Sequence, residues 1–471
     1  MSAVVKAKRS VDMTQGGILK NLIKFSLPLM ATTVLQLLFN AADMVVVGQW
    51  VGDDALGAVG CTNSIVNLIL NLFIGMSGGA GIVLARAYGA KNREYAERAL
   101  HTAMIVSVAA GIIVTIIGVT MSGIMLQWLG TPDAIFELAR TYLTIYFAGA
   151  IFNLVYNFGA SMLRAMGDTE RPLKFLVIGG VLNVIVNIIS VTVFNMGVAG
   201  VALATIFSQA VSAILVVLAL FKEGAYYVTL SPKKFVLDRA VLKETLRLGV
   251  PSGVSGMLFS LSNTTIQSAV NKFGETVVSG CSTSSTIEHF FIAPYQALNL
   301  GALNIVSQNY GAKRFDRIKK CTWITAAAVV GVCGALAVVF LLLKEQLFGL
   351  FTNSPDVANA GIERFEITIC THALCGLMSL FNENVRGMGV SLSPTIITLI
   401  GTCVFRIAYI NIVVPLAPML STIYFVYPVS WAITGLALLG LFIGVYKRKK
   451  FAYELERQVK EQEVKGQERA A

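Results

Sequence analysis

Charge is scarce in this sequence, and the scarcity excludes most soluble folds. Of the 471 residues, 13% are Asp, Glu, Lys or Arg, whereas 55% are hydrophobic and the mean hydropathy is +0.72. Average soluble domains carry about 25% charged residues. The composition therefore predicts a chain that lies largely in lipid.

Histidine and paired cysteine are also scarce. The chain has three histidines and seven cysteines, and no two cysteines form a C-x-x-C motif or share metal-ligand spacing with a histidine. Scattered cysteines in apolar runs are typical of small buried hydrophobic side chains. No cofactor and no firm metal site are expected.

Long apolar runs are what the chain has instead. A helix of about 20 apolar residues crosses a bilayer. Twelve such runs lie near 20–47, 57–85, 99–127, 134–163, 172–194, 198–222, 241–270, 279–307, 319–346, 356–385, 393–416 and 419–446. The first run is too long for a signal peptide and lacks a small-residue cleavage site, so we expect it to remain as an anchor. The fold class predicted is an all-α integral membrane protein with twelve transmembrane helices.

The positive charge is confined to alternate loops. Of the 37 lysines and arginines, 32 lie at the N-terminus, in alternate loops or in the tail. Cytoplasmic loops carry such an excess of lysine and arginine. The pattern predicts a multi-pass protein of the cell (plasma) membrane with both termini cytoplasmic, and it explains the net charge of +11 without nucleic acid as a partner.

The two halves of the chain repeat each other. The segment Tyr88–Lys91, YGAK, recurs in the second half as Tyr310–Lys313, and Pro28 recurs at nearly the same shift as Pro251. A fixed shift indicates two homologous lobes of the kind that transporters place around a central cavity. We expect two pseudo-symmetric six-helix lobes. The predicted domains are an N-terminal lobe at 1–222, a cytoplasmic linker at 223–240, a C-terminal lobe at 241–447 and a charged cytoplasmic tail at 448–471.

Asp43 is the most informative residue of the first run. It lies inside PLMATTVLQLLFNAADMVVVG, residues 28–48. An Asp at the centre of a membrane helix costs about 2.5 to 3.5 kcal/mol, so such acids usually mark an ion or substrate site. The alternative is an acid near a helix end that reaches the lipid headgroups.

Several short motifs together resemble the multidrug and toxic compound extrusion (MATE) family over nearly the whole chain. They are LP at 27–28, DMVVVG at 43–48, RAMGDTERP at 164–172 and GVAGVALAT at 197–205, with the repeated YGAK and RGMG in the second half. The resemblance implies an antiporter that takes up protons or sodium ions and expels organic, often cationic or amphipathic, compounds. We expect the protein to be a monomer. Its partners would be small-molecule drugs or metabolites and membrane lipids.

The resemblance also implies site residues. The family's cation-coupling positions in the N-terminal lobe fall on Asp43, Asn183, Asn187 and Thr205. The family has a second acid where this chain has Asn187, and its loss favours a proton on Asp43 over a tightly held sodium ion, although sodium at Asp43 stays possible.

The family's polar substrate-cavity positions fall on Gln36, Tyr142 and Asn157. The resulting hypothesis is that protonation of Asp43 repacks the first helix around a kink at Pro28 and releases a cationic compound. The family's other branch keeps acids where this chain has Phe259 and Cys375, so that branch's sodium site is expected to be absent.

Two further charges lie within apolar runs of the C-terminal lobe. Glu288 is in the eighth run and Arg406 in the eleventh. Because an unpaired charge at that depth is costly, we expect the two to pair across the lobe. The pair is either structural or part of proton or substrate handling.

Two other functions compete with drug export. One is a flippase for a lipid-linked sugar or polysaccharide precursor, because distant relatives in the same superfamily look alike. A flippase of this kind would have a strongly basic central cavity. The other is an intramembrane serine hydrolase, suggested by the G-x-S-x-G match at Ser77, although that motif needs a strand-to-helix elbow with histidine and acid partners.

Overall fold

The computed structural model describes residues 12–222, 228–231 and 235–470. The predicted linker at 223–240 and the basic N-terminus lie partly outside these residues. Within them the regular structure is helical. The helices are α1 Ile18–Trp50, α2 Asp53–Gly89, α3 Arg93–Trp128, α4 Asp133–Ala148, α5 Ala150–Ala165, α6 Glu170–Thr192, α7 Gly197–Lys222, α8 Arg239–Val270, α9 Glu275–Gly311, α10 Phe315–Leu342, α11 Lys344–Gly349, α12 Pro355–Gly387, α13 Leu392–Thr398, α14 Phe405–Ile412, α15 Leu420–Tyr424 and α16 Val426–Ala470.

Most of these helices suit a bilayer. Among the described residues, nine helices are long and apolar enough to cross a membrane, or ten when the bent pair α4 and α5 counts as one span. Two other long helices, α8 with 32 residues and α9 with 37, contain many serine, threonine and asparagine residues. Large apolar side chains such as Ile113 and Ile116 on α3 are more than half exposed, as a lipid-facing surface requires. The chain is an all-α, multi-pass membrane protein, and its helices are consistent with the twelve spans expected.

The fourth predicted span is broken. A bend of 49° separates α4 from α5 at Gly149, where the sequence predicted one run at 134–163. A Cβ atom at Gly149 would lie 2.4 Å from Cγ1 of Ile206 on α7. The bend therefore occurs where α7 approaches the backbone too closely for any side chain.

The eleventh predicted span is also irregular. Between α13 and α14 the residues Leu399–Val404 form a π-helix. A Cβ atom at Gly401, inside this segment, would lie 2.0 Å from Oγ1 of Thr434 on α16. Single π turns are frequent at functional sites, and this one directly precedes α14, whose second residue is Arg406.

The described residues pack into two compact units. Unit 1 comprises Ile23–Leu261, and unit 2 comprises Met13–Leu22 with Ser262–Ala471, as far as the described residues extend. In unit 2 the segment before α1 is held by α9 and α10: Nδ2 of Asn309 donates to the Met13 carbonyl at 2.9 Å, and Nη1 of Arg317 donates to the Gly16 carbonyl at 3.0 Å. The lobe boundaries drawn from sequence stay a prediction.

The internal repeat is visible in the backbone. Lys91 and Lys313, the last residues of the two YGAK segments, have φ angles of 55° and 58°, in the left-handed region that non-glycine residues rarely adopt. Gly52 and Gly274, which are related by the same shift, have φ angles of 113° and 94°. The same turns therefore end or begin equivalent helices in both halves.

Two pairs of glycines bring α2 and α8 together within unit 1. A Cβ atom at Gly75 would lie 2.2 Å from the Gly253 nitrogen, and one at Gly79 would lie 2.5 Å from the Gly249 nitrogen. Each helix thus presents a G-x-x-x-G face, which allows backbones to approach closely in membranes.

Candidate functional site

Asp43 lies half-buried on α1, and its carboxylate is held by α6. Nδ2 of Asn187 donates a hydrogen bond of 2.6 Å to Oδ1 of Asp43. Asn187 is fully buried, so the contact is made in the interior of unit 1. The structure therefore places Asp43 against a polar partner in the protein interior, as its intramembrane position led us to expect.

The other predicted coupling residues lie beside this pair. Asn183, four residues before Asn187, presents the same face of α6. Its Nδ2 lies 3.5 Å from Oγ1 of Thr205 on α7, a long contact, and the Thr205 hydroxyl also donates to the Val201 carbonyl at 3.1 Å. Three helices of unit 1 therefore bring the four predicted coupling residues together, and their role stays a prediction.

Asp43, Asn183 and Thr205 line one cavity of about 170 Å³. Pockets for drug-sized molecules measure about 300 to 1,000 Å³, so this space suits an ion with a few waters. Among the described residues that line it, Asp43 is the one charged side chain. The polar lining residues are Gln36, Asn40, Asp43, Asn153, Tyr156, Asn157, Asn183, Thr205, Ser208, Gln209 and Ser212.

Two glycines of α6 make the cavity narrow. A Cβ atom at Gly180 would lie 2.0 Å from Cε2 of Phe39 on α1, and one at Gly179 would lie 2.2 Å from Oγ of Ser212 on α7. The absence of side chains at these two positions lets α1 and α7 close on α6.

The predicted substrate residues divide between two places. Gln36 and Asn157 line the cavity that contains Asp43. Tyr142 instead stacks on Tyr146, with ring centroids 6.1 Å apart, in an apolar cluster that includes Val46 and Val47 of α1. The structure thus places Gln36 and Asn157 beside the predicted coupling residues, whereas Tyr142 lies in the apolar cluster.

Several lining residues were missed by the sequence reasoning, although helical spacing identifies them. Asn40 is three residues before Asp43, and Gln209 is four residues after Thr205. Asn153 is four residues before Asn157, and the two side chains share a hydrogen bond of 2.9 Å. Residues three or four apart lie on one helix face, so each predicted site residue pointed to a neighbour.

Pro28 lies inside α1, which continues as one helix on both sides of it. The Thr32 hydroxyl donates to the Pro28 carbonyl at 2.8 Å. Repacking of α1 around a kink at Pro28 stays a prediction.

The predicted pairing of Glu288 with Arg406 is wrong. Oε2 of Glu288 accepts a hydrogen bond of 3.1 Å from Nη2 of Arg364 on α12, and Oε1 accepts from Thr368 at 2.7 Å. Arg406 donates instead to Oδ1 of Asn263 at 2.9 Å and to the Ser430 hydroxyl at 3.1 Å. The reason is that α9 packs along α12, which carries a second intramembrane guanidinium.

Neither a metal cluster nor a hydrolase elbow is present in the described ranges. Within them, no group of three His, Cys, Asp or Glu side chains could hold a metal ion. Ser77 lies in the continuous helix α2, 3% exposed, and its hydroxyl donates to the Ile74 carbonyl at 2.8 Å. A strand-to-helix turn that would expose the hydroxyl is not formed at Ser77.

A family model and individual relatives match this chain over most of its length. The family model described as MatE matches residues 28–189 and again 251–412, once in each half of the repeat. A relative named "Probable multidrug resistance protein YpnP" from Bacillus subtilis (strain 168) is 28% identical over 84% of this chain and 89% of its own length. "Probable multidrug resistance protein NorM" from Thermotoga maritima is 26% identical over 82% and 84%.

Solved structures share the fold. A crystal structure of "MATE in the bent conformation" matches with a TM-score of 0.88 at 23% identity, and covers 94% of this chain and 99% of the other. A structure of the "outward-facing conformation of a multidrug resistance MATE family transporter of the MOP superfamily" matches with the same TM-score, identity and coverage.

Proposed function

We propose that this chain, which belongs to the MatE family, exports organic compounds, mostly cationic or amphipathic, in exchange for protons. The relatives named as multidrug resistance proteins support the export of drug-like compounds. We place the protein in the cell membrane with both termini in the cytoplasm, because the lysines and arginines concentrate in alternate loops and the tail.

The observation that carries the proposal is the contact between Asp43 and Asn187 in the interior of unit 1. A carboxyl group that is partly removed from water binds a proton more readily than an exposed one. Its one bonded partner in the described residues is an amide, which donates to a carboxylate and accepts from a carboxylic acid. Asp43 is therefore the group that we assign to carry the coupling proton.

Sodium is the weaker assignment for the coupling ion. Asn187 stands where the family pattern has a second acid, so a bound sodium ion would be neutralised by one carboxylate. Asn183 and Thr205 add neutral oxygens to the same site. Such a site holds a proton covalently and a sodium ion weakly.

The cavity chemistry disfavours the flippase alternative. Export of a lipid-linked sugar phosphate calls for basic side chains in the transport path. In unit 1, the charged side chain among the described lining residues is the acid Asp43. The proposal likewise involves no covalent chemistry, since Ser77 is held inside α2.

The test is transport into everted membrane vesicles. A proton gradient, acidic inside, and a sodium gradient are applied separately while uptake of a fluorescent cation such as ethidium is recorded. We expect the proton gradient to drive uptake by the wild type and not by Asp43→Asn. The matched control is Asp133→Asn, which removes an exposed acid at the start of α4.

Two results would reject parts of the proposal. Proton-driven uptake that persists in Asp43→Asn would remove Asp43 from the coupling step. Uptake by the wild type that a sodium gradient alone drives would replace the proton by sodium.

A further inference from the structure

Unit 1 has another cavity, a groove of about 580 Å³ between α3 and α4. Residues of the two helices meet at its floor, where Oγ of Ser122 lies 2.8 Å from Oγ1 of Thr144. A Cβ atom at Gly123, one residue further along α3, would lie 3.7 Å from Nε of Arg140. Because Gly123 has no side chain, the space above the floor stays open between the helices. The volume lies within the range of pockets for small organic ligands.

The groove lies on the surface that faces lipid. Its lining residues Thr120 and Ile124 share a face of α3 with Ile113 and Ile116, because the four are spaced three or four residues apart. Ile113 and Ile116 are 53% and 58% exposed, as side chains that contact acyl chains are. The helix ends at Trp128, which is 77% exposed, and tryptophan is enriched at the membrane–water interface. The groove therefore lies just below that interface.

Two opposite charges of α4, Glu137 and Arg140, line the groove together. Their side chains are 78% and 55% exposed, and Nη1 of Arg140 lies 3.7 Å from Oε1 of Glu137. That distance is too long for a hydrogen bond, so both groups can still bind a ligand. Glu137 is one helical turn closer than Arg140 to the start of α4, which follows the end of α3 after a short turn. The acid is therefore nearer the membrane surface, and the guanidinium is deeper.

The position of Arg140 suits a phosphate ligand. Arg140 is not among the lysines and arginines of the alternate loops, the N-terminus and the tail, so the positive-inside pattern does not account for it. An arginine just below the interface extends its charged end towards the polar headgroups while its stem stays on apolar surface. A guanidinium binds a phosphate through two parallel hydrogen bonds. Arg140 can therefore bind a lipid phosphate at the mouth of the groove.

We propose that this groove binds one phospholipid with a primary ammonium headgroup, phosphatidylethanolamine, in the leaflet at the Trp128 end of α3. Arg140 binds the phosphate, Glu137 binds the ammonium, and an acyl chain follows the exposed face of α3 at Ile116. In this lipid the phosphate is attached to the glycerol and the ammonium lies further from the chains. That order matches a deeper guanidinium and a carboxylate nearer the surface. The site does not depend on the proposed export; with the proposed orientation, the leaflet is the outer one.

Native mass spectrometry of the full-length protein tests the binding step, because lipid-bound and lipid-free forms differ in mass. The delipidated protein in detergent is titrated separately with phosphatidylethanolamine, phosphatidylcholine and phosphatidylglycerol that carry the same acyl chains. Phosphatidylcholine keeps the phosphate but has no N–H on its trimethylated nitrogen, and phosphatidylglycerol has no ammonium at all. We expect the first phosphatidylethanolamine to bind most tightly. Equal affinity for the three lipids, or tighter binding of phosphatidylglycerol, would overturn the proposal.

Two exposed substitutions separate the two headgroup contacts. Arg140→Gln should raise the dissociation constant of all three lipids by about tenfold, because each loses a charged hydrogen bond to its phosphate. Glu137→Gln should weaken phosphatidylethanolamine by a similar factor and should not weaken phosphatidylglycerol. The matched control is Arg457→Gln with Glu461→Gln, an ion pair of the α16 tail whose side chains are 66% and 55% exposed. Wild-type affinity in Arg140→Gln, or an equal loss of both lipids in Glu137→Gln, would reject the assigned contacts.

A third variant tests the groove itself without a change of charge. In Gly123→Leu the new Cβ meets Arg140 at an ordinary contact distance of 3.7 Å, while the rest of the side chain fills the space above the floor. We expect weaker binding of phosphatidylethanolamine, whereas Gly331→Leu, on an exposed face of α10 with nothing within 4 Å, should bind as the wild type does. Equal binding by the two variants would contradict the groove.

The headgroup alone distinguishes a lipid from a small phosphate ligand. Glycerophosphoethanolamine has the same phosphate and ammonium without acyl chains, so we expect it not to displace the lipid at equal concentration. Displacement at equal concentration would show that the acyl chains contribute nothing and would overturn the lipid assignment. Because binding is measured without an ion gradient, failure of the proposed export would leave this result unchanged.

Discussion

The amide of Asn187 donates to Asp43 through Nδ2, while its Oδ1 is buried without a hydrogen-bond partner in the described residues. In the ionised state Asp43 accepts the 2.6 Å bond that is observed. When Asp43 is protonated, the same amide turned over accepts the new O–H. One side chain therefore serves both protonation states by a rotation of its amide group, and the helices need not separate.

An acid at position 187 should change the coupling ion. In Asn187→Asp, two carboxylates would lie in contact, and like charges at that distance cannot both stay ionised without a cation. We expect a sodium gradient alone to drive export by this variant. Vesicle uptake under separate sodium and proton gradients is the measurement.

The control for this substitution is Asn157→Asp. It adds an acid to the same cavity at a side chain that bonds Asn153 instead of Asp43. Sodium-driven uptake that appears equally in both variants would show that contact with Asp43 is unnecessary.

Removal of one partner of the Glu288–Arg364 pair should destabilise unit 2. Glu288→Gln leaves a buried guanidinium uncompensated, at a cost of about 3 to 5 kcal/mol. The double variant Glu288→Gln/Arg364→Gln should recover part of that loss, because both charges are gone. The thermal unfolding temperature in detergent gives both values.

A second double variant decides which arginine is the partner. Glu288→Gln/Arg406→Gln should be no more stable than Glu288→Gln, since Arg406 bonds Asn263 and Ser430. Recovery with Arg406 in place of Arg364 would restore the pairing that the sequence suggested.

A methyl group at the α2–α8 contact should be poorly tolerated. In Gly75→Ala the new Cβ would meet the Gly253 backbone at 2.2 Å, and overpacking of this kind costs about 1 to 3 kcal/mol. Gly60→Ala on the same helix meets nothing within 4 Å and serves as the control. A lower unfolding temperature for Gly75→Ala than for Gly60→Ala is expected, and equal values would contradict the packing.

Asp238 should stabilise the start of α8 in a pH-dependent way. Its Oδ1 accepts from the Val241 and Ala240 backbone N–H groups, and its Oδ2 accepts from Arg98. The bond from Val241, then that from Ala240 and the contact with Arg98, lower the pKa of Asp238. Since the folded-state pKa lies below the ordinary value of about 3.9, this stabilisation is complete above pH 4 and is lost as the pH falls through the lowered pKa.

Amide hydrogen exchange at Ala240 and Val241 measures the effect. Loss of such a cap costs about 1 kcal/mol, so Asp238→Ala should speed their exchange at pH 7, after correction for intrinsic rates. The difference from the wild type should shrink once Asp238 is protonated. Asp238→Asn keeps a neutral acceptor and should show no such pH dependence.

The sequence predicted that Asn183 and Asn187 share one face of a helix, because helical spacing is a local property. Asn183 and Asn187 share a face at any packing angle, and the resemblance supplied the helices that meet them. The partner of Glu288 could not be predicted from spacing in this way. Arg364 and Arg406 lie on two different helices, and the sequence does not indicate which of them contacts Glu288. The choice of Arg364 depends on how α9 and α12 pack, which is a tertiary contact.

The break at Gly149 could not be predicted for a similar reason. The run around it, YFAGAIF, is apolar and contains no proline, so nothing local ends the helix. The bend follows from the approach of Ile206 on α7, a residue far away in the sequence. A glycine inside an apolar run marks only where such an approach is permitted.

The facing glycines of α2 and α8 have a mechanical consequence. At Gly75, Gly79, Gly249 and Gly253 backbone packs on backbone, so this part of the contact can separate and re-form without a change of side-chain rotamer. The attraction there is the sum of many weak atomic contacts, which vanish together over a short displacement. A single added methyl group is therefore enough to disrupt this contact, although the contact itself holds no side chain in a fixed rotamer.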